Sequence, residues 1–274
     1  MEAFLYAKAT SLYMRETISK LCERIEQDHG ITILFAIENG SRAWRMASED
    51  SDYDVRFVFV RPASQYIRIR RPEGVIHKAY DGEGNPCHVE GALIDMSGFD
   101  VMKFATLLSN SNPTTIEWLM SDIVYYGKQV EGFRRFAMEN ADPLKLYHHY
   151  KSMCRNNYYK YLKAGSFVTY KKYLYAYRGL MNARWVAEKK TIPAIDFNET
   201  LTGMEGIIPD MILRKLHDII ALKPQGREKD IIQNIVEMDQ YIEAFLRDDS
   251  DAPEKGPSAD TDRLDRELQR LILG

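Results

Sequence analysis

The chain has 274 residues, 45% of them apolar and 28% charged, and a formal net charge of −3. That length and apolar content can bury one large core or two smaller ones, and they exclude a chain disordered throughout. The near-neutral charge excludes a surface built wholly for nucleic acid, although local clusters such as Arg68, Arg70 and Arg71 still suit limited contacts. Three cysteines, Cys22, Cys87 and Cys154, form no CxxC pair, so neither a zinc ribbon nor a disulfide framework is indicated and a reducing, cytoplasmic setting is expected. No stretch approaches the roughly 20 apolar residues that cross a bilayer, so no membrane partner is expected.

Residues 2 to about 28 place Leu12, Ile18, Leu21 and Ile25 at helical spacing among charges, which predicts an amphipathic helix ending near Gly30. ITILFAI is short and β-branched and predicts a strand; YDVRFVFV predicts a second, stopped by Pro62. GVIHKAY and a strand over residues 87–96 flank the turn-rich DGEGNP as a hairpin. From Ser97 the period lengthens. GFDVMKFATLLSN, PTTIEWLM, PLKLYHHYKSMCRNNYYKYLKAG and YKKYLYAYRGLMNARWVAEKK all read as helices, with Pro113 in a first turn. Strands gathered at one end and helices at the other predict an α+β fold. RDDSDAPEKGPSADTD lacks apolar anchors and reads as a mobile linker before a last short helix, RLDRELQRLIL. The expected units are therefore 1–127, bearing the sheet, 128–247, helical, and 248–274, linker and helix.

In SDYDVRFVFV the alternation of a strand puts Asp52 and Asp54 on one face. Two carboxylates aimed at one point repel unless a cation lies between them, and Mg²⁺ is a hard ion that takes carboxylate and phosphate oxygens. Upstream, NGSR follows a strand directly. Gly40 permits close backbone approach, Ser41 adds a hydroxyl, and the N–H groups of such a turn suit an anion. Each feature also has an ordinary reading, since Gly-Ser is a common turn and an Asp-rich loop is often only solvated. Arg42 and Arg56 suit either anion contacts or salt bridges to these carboxylates.

On the helix YKKYLYAYRGLMNAR, Lys171, Tyr175, Arg178 and Asn182 share a face, with Lys172 as a substitute for Lys171. They suit a triphosphate and a base; equally, they suit a solvated face behind a core of Tyr173, Tyr177 and Leu180. His148 and His149 point about 100° apart on a helix, which disfavours a shared metal ion, so with Cys154 they read as surface or packing residues. Trp44, Trp118 and Trp185 read as structural.

A strand, Gly-Ser, a short helical segment and an Asp-x-Asp opening a second apolar strand together resemble the DNA polymerase β type nucleotidyltransferase superfamily. GSRAW, SDYDVRFVFV, DMSGFDVMKF, SNPTTIEWLMSDIVYY and YKKYLYAYRGLMNARW more particularly resemble the YcgL or RlaP-like group, some of which are associated with RNA repair. The resemblance implies a polymerase β type sheet with an N-terminal helix, followed by a helical domain that covers the nucleotide. It implies two ions, Mg²⁺ or Mn²⁺, held by Asp52 and Asp54, with Asp95 of LIDMSGFD on the ion that activates the attacking hydroxyl. Glu90, on the opposite face of a regular strand, is the weaker third carboxylate, and Asp100 is expected to cap or brace the next helix.

Gly40, Ser41, Arg42, Lys171, Lys172, Tyr175 and Arg178 are the implied nucleotide contacts, for ATP or another NTP. The implied reaction moves a nucleoside monophosphate from NTP to an acceptor hydroxyl and releases pyrophosphate, with an RNA 3′ end as the leading acceptor. A protein or small-molecule hydroxyl, or a non-catalytic nucleotide or RNA sensor, are the alternatives. One departure stands out: where the group often has glycine this chain has Arg45, which predicts a stiffer loop or an extra positive charge near the phosphates.

Overall fold

The structure, a computed structural model, describes residues 2–48, 51–70, 72–88, 92–223, 227–256 and 258–274, the side chains of 2–11 and 228 excepted. Glu90, and Arg71 of the basic cluster, lie outside the described residues.

Helix α1 (Glu2–His29) buries Met14, Ile18, Leu21, Cys22 and Ile25 along one stripe and stops at Gly30, whose φ of +57° is the left-handed conformation that ends helices. β1 (Thr32–Asn39) runs into the short helical turn α2 (Gly40–Ala43), and β2 (Tyr53–Val60) returns antiparallel to it. β3 (Val75–Tyr80), β4 (Ile94–Asp100) and β5 (Val124–Gly127) complete a five-stranded sheet of order β3-β4-β2-β1-β5. β2 and β4 are parallel; the other pairs are antiparallel. The period of two sorts the faces. Val55, Phe57 and Phe59 pack under α1, while Val58 faces the helical half. Asp54 and Arg56 share the parity of Val58.

The hairpin forms, but its second strand lies further along than residues 87–96. SGFD, expected to open a helix, is the end of β4, and α3 (Val101–Ser109) begins only at Val101. Burial on both sides decides this. β4 is flanked by β3 and β2, and a Cβ on Gly98 would meet the Phe57 ring at 2.1 Å. Asp100 accepts from the Met102 N–H and caps α3. Four-residue β5 gave no alternation to find.

The helical half comprises α4 (Pro113–Met120), α5 (Glu131–Asn140), α6 (Pro143–Asn157), a π-helical segment Tyr158–Lys163, β6 (Val168–Thr169) and α7 (Tyr170–Lys189). After it come α8 (Phe197–Gly203), α9 (Asp210–Leu222), β7 (Ile231–Ile232), α10 (Val236–Arg247) and α11 (Thr261–Leu273). α6 and α7 pack closely enough that a Cβ on Gly179 would meet the Cys154 backbone nitrogen at 2.6 Å.

One core runs from Phe35 and Val58 of the sheet to Leu264 and Leu268 of α11, which lie against α3 and α5. The segment expected as a mobile linker is anchored instead. Asp249 pairs with Lys151 at 2.7 Å, Asp251 with Arg184, and the Gly256 N–H donates to the Asp142 carboxylate at 3.0 Å. Its anchors are polar and distant in sequence, so composition did not show them. Among the described residues no helix is long and apolar enough to cross a membrane.

Candidate active site

β1 leaves the sheet at Asn39, opposite Asp54, and Gly40 turns the chain with φ +70°. A Cβ on Gly40 would lie 2.0 Å from Asp54 Oδ2, so the Gly-Ser turn and the Asp-x-Asp are in direct contact. Arg42 donates to the carbonyls of Ser51 and Asp52 and lies 3.9 Å over the Tyr53 ring. It thereby fixes the chain on which exposed Asp52 stands. Arg45 has φ +57°, a conformation in which glycine is the easier residue, and its guanidinium pairs with Asp122 at 2.5 Å. The added charge is thus paired with a carboxylate.

Parallel pairing sets Asp54 beside Asp95. Arg56 Nη2 donates to Asp54 Oδ1 at 3.1 Å and to Asp95 Oδ2 at 2.8 Å, while its Nη1 donates to the Val55 and Asp95 carbonyls, each at 3.0 Å. Of the two readings open for Arg56, the salt bridge is the one observed. Asp95 Oδ1 lies 2.7 Å from His77 Nε2. Burial raises the pKa of Asp54, and the charges of Asp95 and Asp52 push the same way against the opposing pull of Arg56 and Lys171. Beneath Asp54, fully buried Glu38 accepts from the Asp54 N–H at 2.9 Å and from the Tyr125 hydroxyl at 2.6 Å; burial pushes its pKa up to about 7. Sequence reasoning missed Glu38, whose signal was a carboxylate at the end of an apolar run, and His77, which had none.

The face of α7 divides. Lys171 acts electrostatically on Asp54, and its ammonium lies 5.9 Å from the Tyr175 ring centre, which meets Trp44 edge-on at 5.9 Å. Lys172 turns away, donating to the Phe167 carbonyl and lying over Tyr161. Arg178 is not a ligand-facing residue. Its side chain is 4% exposed, pairs with Glu117 at 2.7 Å and stacks 3.7 Å over Trp44, because α7 dips into the core after its second turn. Arg178 braces the Gly-Ser turn from behind. Asn182 is buried too, and Cys154 lies in the core apart from half-buried His149.

The sequence profile of the RNA repair pathway DNA polymerase beta family matches residues 14–273. The chain belongs to this family. Membership makes it a nucleotidyltransferase of the polymerase beta superfamily. A relative is the "Uncharacterized protein YcgL" of Bacillus subtilis (strain 168), 35% identical over 262 residues that cover 95% of each chain. Among solved structures, a nucleotidyltransferase-like protein from Exiguobacterium sibiricum 255-15 shows 11% identity over 87% of this chain and 71% of its own, at a TM-score of 0.27.

For this polymerase beta family member the metal question is one of donors. Among the described residues no three His, Cys, Asp or Glu side chains are gathered so as to hold an ion. Asp54 and Asp95 share the Arg56 guanidinium, and exposed Asp52 acts on Asp54 through its charge. The chemistry of the set nonetheless suits a hard divalent cation. The donors are carboxylate oxygens, and burial first, then the charges of Asp95 and Asp52, raise the pKa of Asp54, a cost to its charged form that a cation would relieve. In this structure Arg56 bridges the pair, and its Nη1 is held by the Val55 and Asp95 carbonyls.

Proposed function

We propose that the protein moves a nucleoside monophosphate from an NTP to an acceptor hydroxyl, an RNA 3′ end first among acceptors, and releases pyrophosphate. The observation that carries this reading is the contact of Gly40 with the Asp54 carboxylate, which joins a phosphate-suited turn to a cation-suited one. Asp52, Asp54 and Asp95 are the residues to hold two Mg²⁺ or Mn²⁺ ions, which when bound would offset phosphate charge and acidify the acceptor hydroxyl.

The protein's own groups do the rest. Gly40 and Ser41 offer backbone N–H groups and a hydroxyl to the triphosphate. Arg42 holds Asp52 at the mouth of β2, and Glu38 holds the Asp54 backbone. Lys171 brings positive charge from α7 and Tyr175 a ring beside Trp44. With the α-phosphorus so placed, the acceptor hydroxyl gives up its proton to water and its oxygen forms the new P–O bond as the bond to pyrophosphate breaks.

The test is to incubate the protein with each labelled NTP, Mg²⁺ or Mn²⁺, and a panel of RNA, protein and metabolite acceptors. Label on RNA carrying a 3′-hydroxyl, lost in Asp52→Asn and Asp54→Asn, is the expected result. No labelled RNA, or equal labelling by Asp54→Asn, overturns the reading.

A further inference from the structure

Between Asp142 and Glu188 the chain has no acidic residue but nine Lys and Arg and nine of its 17 tyrosines, in a molecule whose net charge is −3. Part of this is internal. Arg178, Lys151 and Arg184 are spent on Glu117, Asp249 and Asp251, and Tyr147, Tyr150, Tyr158, Tyr173 and Tyr177 are buried. Part of the remainder gathers around Tyr161, while Lys145 lines a separate cleft with Asn110 and Pro113 and Lys163 pairs with Glu243. The π-helical segment Tyr158–Lys163 and the bend before β6 leave Tyr159 47%, Tyr161 36% and Phe167 62% exposed. Lys160 and Lys172 lie over the Tyr161 ring at 4.9 and 5.8 Å. A π-helical turn is rare and is frequent at functional sites. Large aromatic side chains left in water among cations are the composition of a stacking platform for unpaired bases.

We propose that this surface holds the single-stranded 3′ segment of the RNA acceptor. Tyr159, Tyr161 and Phe167 stack on its bases, Lys160 and Lys172 meet its phosphates, and Lys171 stands where the end reaches Asp54. The proposal rests on the acceptor reading above and adds where the acceptor lies. Proximity along α7 supports it: Lys172 lies over the Tyr161 ring and donates to the Phe167 carbonyl, and Lys171, one residue back and about 100° around the helix, lies within electrostatic reach of Asp54. The single strand is favoured over a duplex because base faces are open to aromatic rings only when unpaired. The other basic cluster, with Arg68 and Arg70, has exposed Ile67 and Ile69 beside it and follows the far end of β2, which at the rise of a strand is about 20 Å from Asp54. It serves as the control.

The experiment measures binding apart from chemistry. The full chain without NTP is titrated into a fluorescent, unstructured RNA of about 12 nucleotides, and anisotropy is followed at two salt concentrations. Tyr159→Ala with Tyr161→Ala should weaken binding about tenfold or more, and Lys160→Gln should flatten the salt dependence. Arg68→Ala with Arg70→Ala should leave binding unchanged, and a blunt duplex of equal length should bind more weakly. Wild-type affinity in the tyrosine variant, loss in the Arg68 and Arg70 variant instead, or binding to phosphatidylserine vesicles but not to RNA overturns the proposal. RNA bound through the tyrosines yet never labelled at its 3′ end would refute the acceptor reading and leave the surface standing. Labelled RNA with an unchanged Kd in the tyrosine variant refutes the surface alone.

Discussion

Gly40 has no room for a β-carbon, because the Asp54 carboxylate occupies its place. Gly40→Ala therefore must either push that carboxylate aside or distort a turn already at φ +70°. Since a 1 Å misplacement in a reacting site can cost on the order of 100-fold, we expect pyrophosphate release to fall by about that factor while far-UV circular dichroism stays unchanged. Gly40 and Asp54 were legible because the turn and the Asp-x-Asp are each short local patterns. Glu38 was not. It reads as the last letter of a strand, and only the pairing of Asn39 with Asp54 brings its carboxylate under the Asp54 N–H.

At the scale of the element, α7 shows what helical spacing conveys and what it omits. Residues 171, 175 and 178 do line one face, as the sequence implied, but spacing gives an angle around the helix and not the depth at each turn. Lys171 lies within electrostatic reach of Asp54, whereas Arg178 has sunk onto Glu117 and Trp44. Their substitutions should separate. Lys171→Ala is expected to raise the NTP KM about tenfold, the effect of losing roughly 1.4 kcal/mol of binding, and to leave the urea midpoint where it was. Arg178→Ala strands a buried carboxylate and should cost about 3–5 kcal/mol in urea denaturation; Arg178→Lys restores charge without the planar stack and should recover only part of it. The boundary of β4 was misplaced for a related reason. Its burial comes from neighbours on both sides, which a local window does not contain.

Across the whole molecule, the last residues close the core. Leu264 and Leu268 lie 3% and 8% exposed, and the chain leading to them is held by Lys151, Arg184 and Asp142. Burying two leucines contributes about 4 kcal/mol. Removal of residues 249–274 should lower the urea midpoint accordingly and open a dye-binding apolar face on α3 and α5, read by anilinonaphthalene fluorescence. The sheet carries a different dependence. β4 follows β3 in the chain but lies between β3 and β2. The β3–β4 hairpin pairs neighbours along the chain and can close early, while β2–β4 is a parallel pairing across the intervening β3. Asp54 and Asp95 become neighbours only when β4 docks along the edge of β2. The site therefore depends on sheet assembly, and a chain with every helix formed but its hairpin undocked has secondary structure without a site.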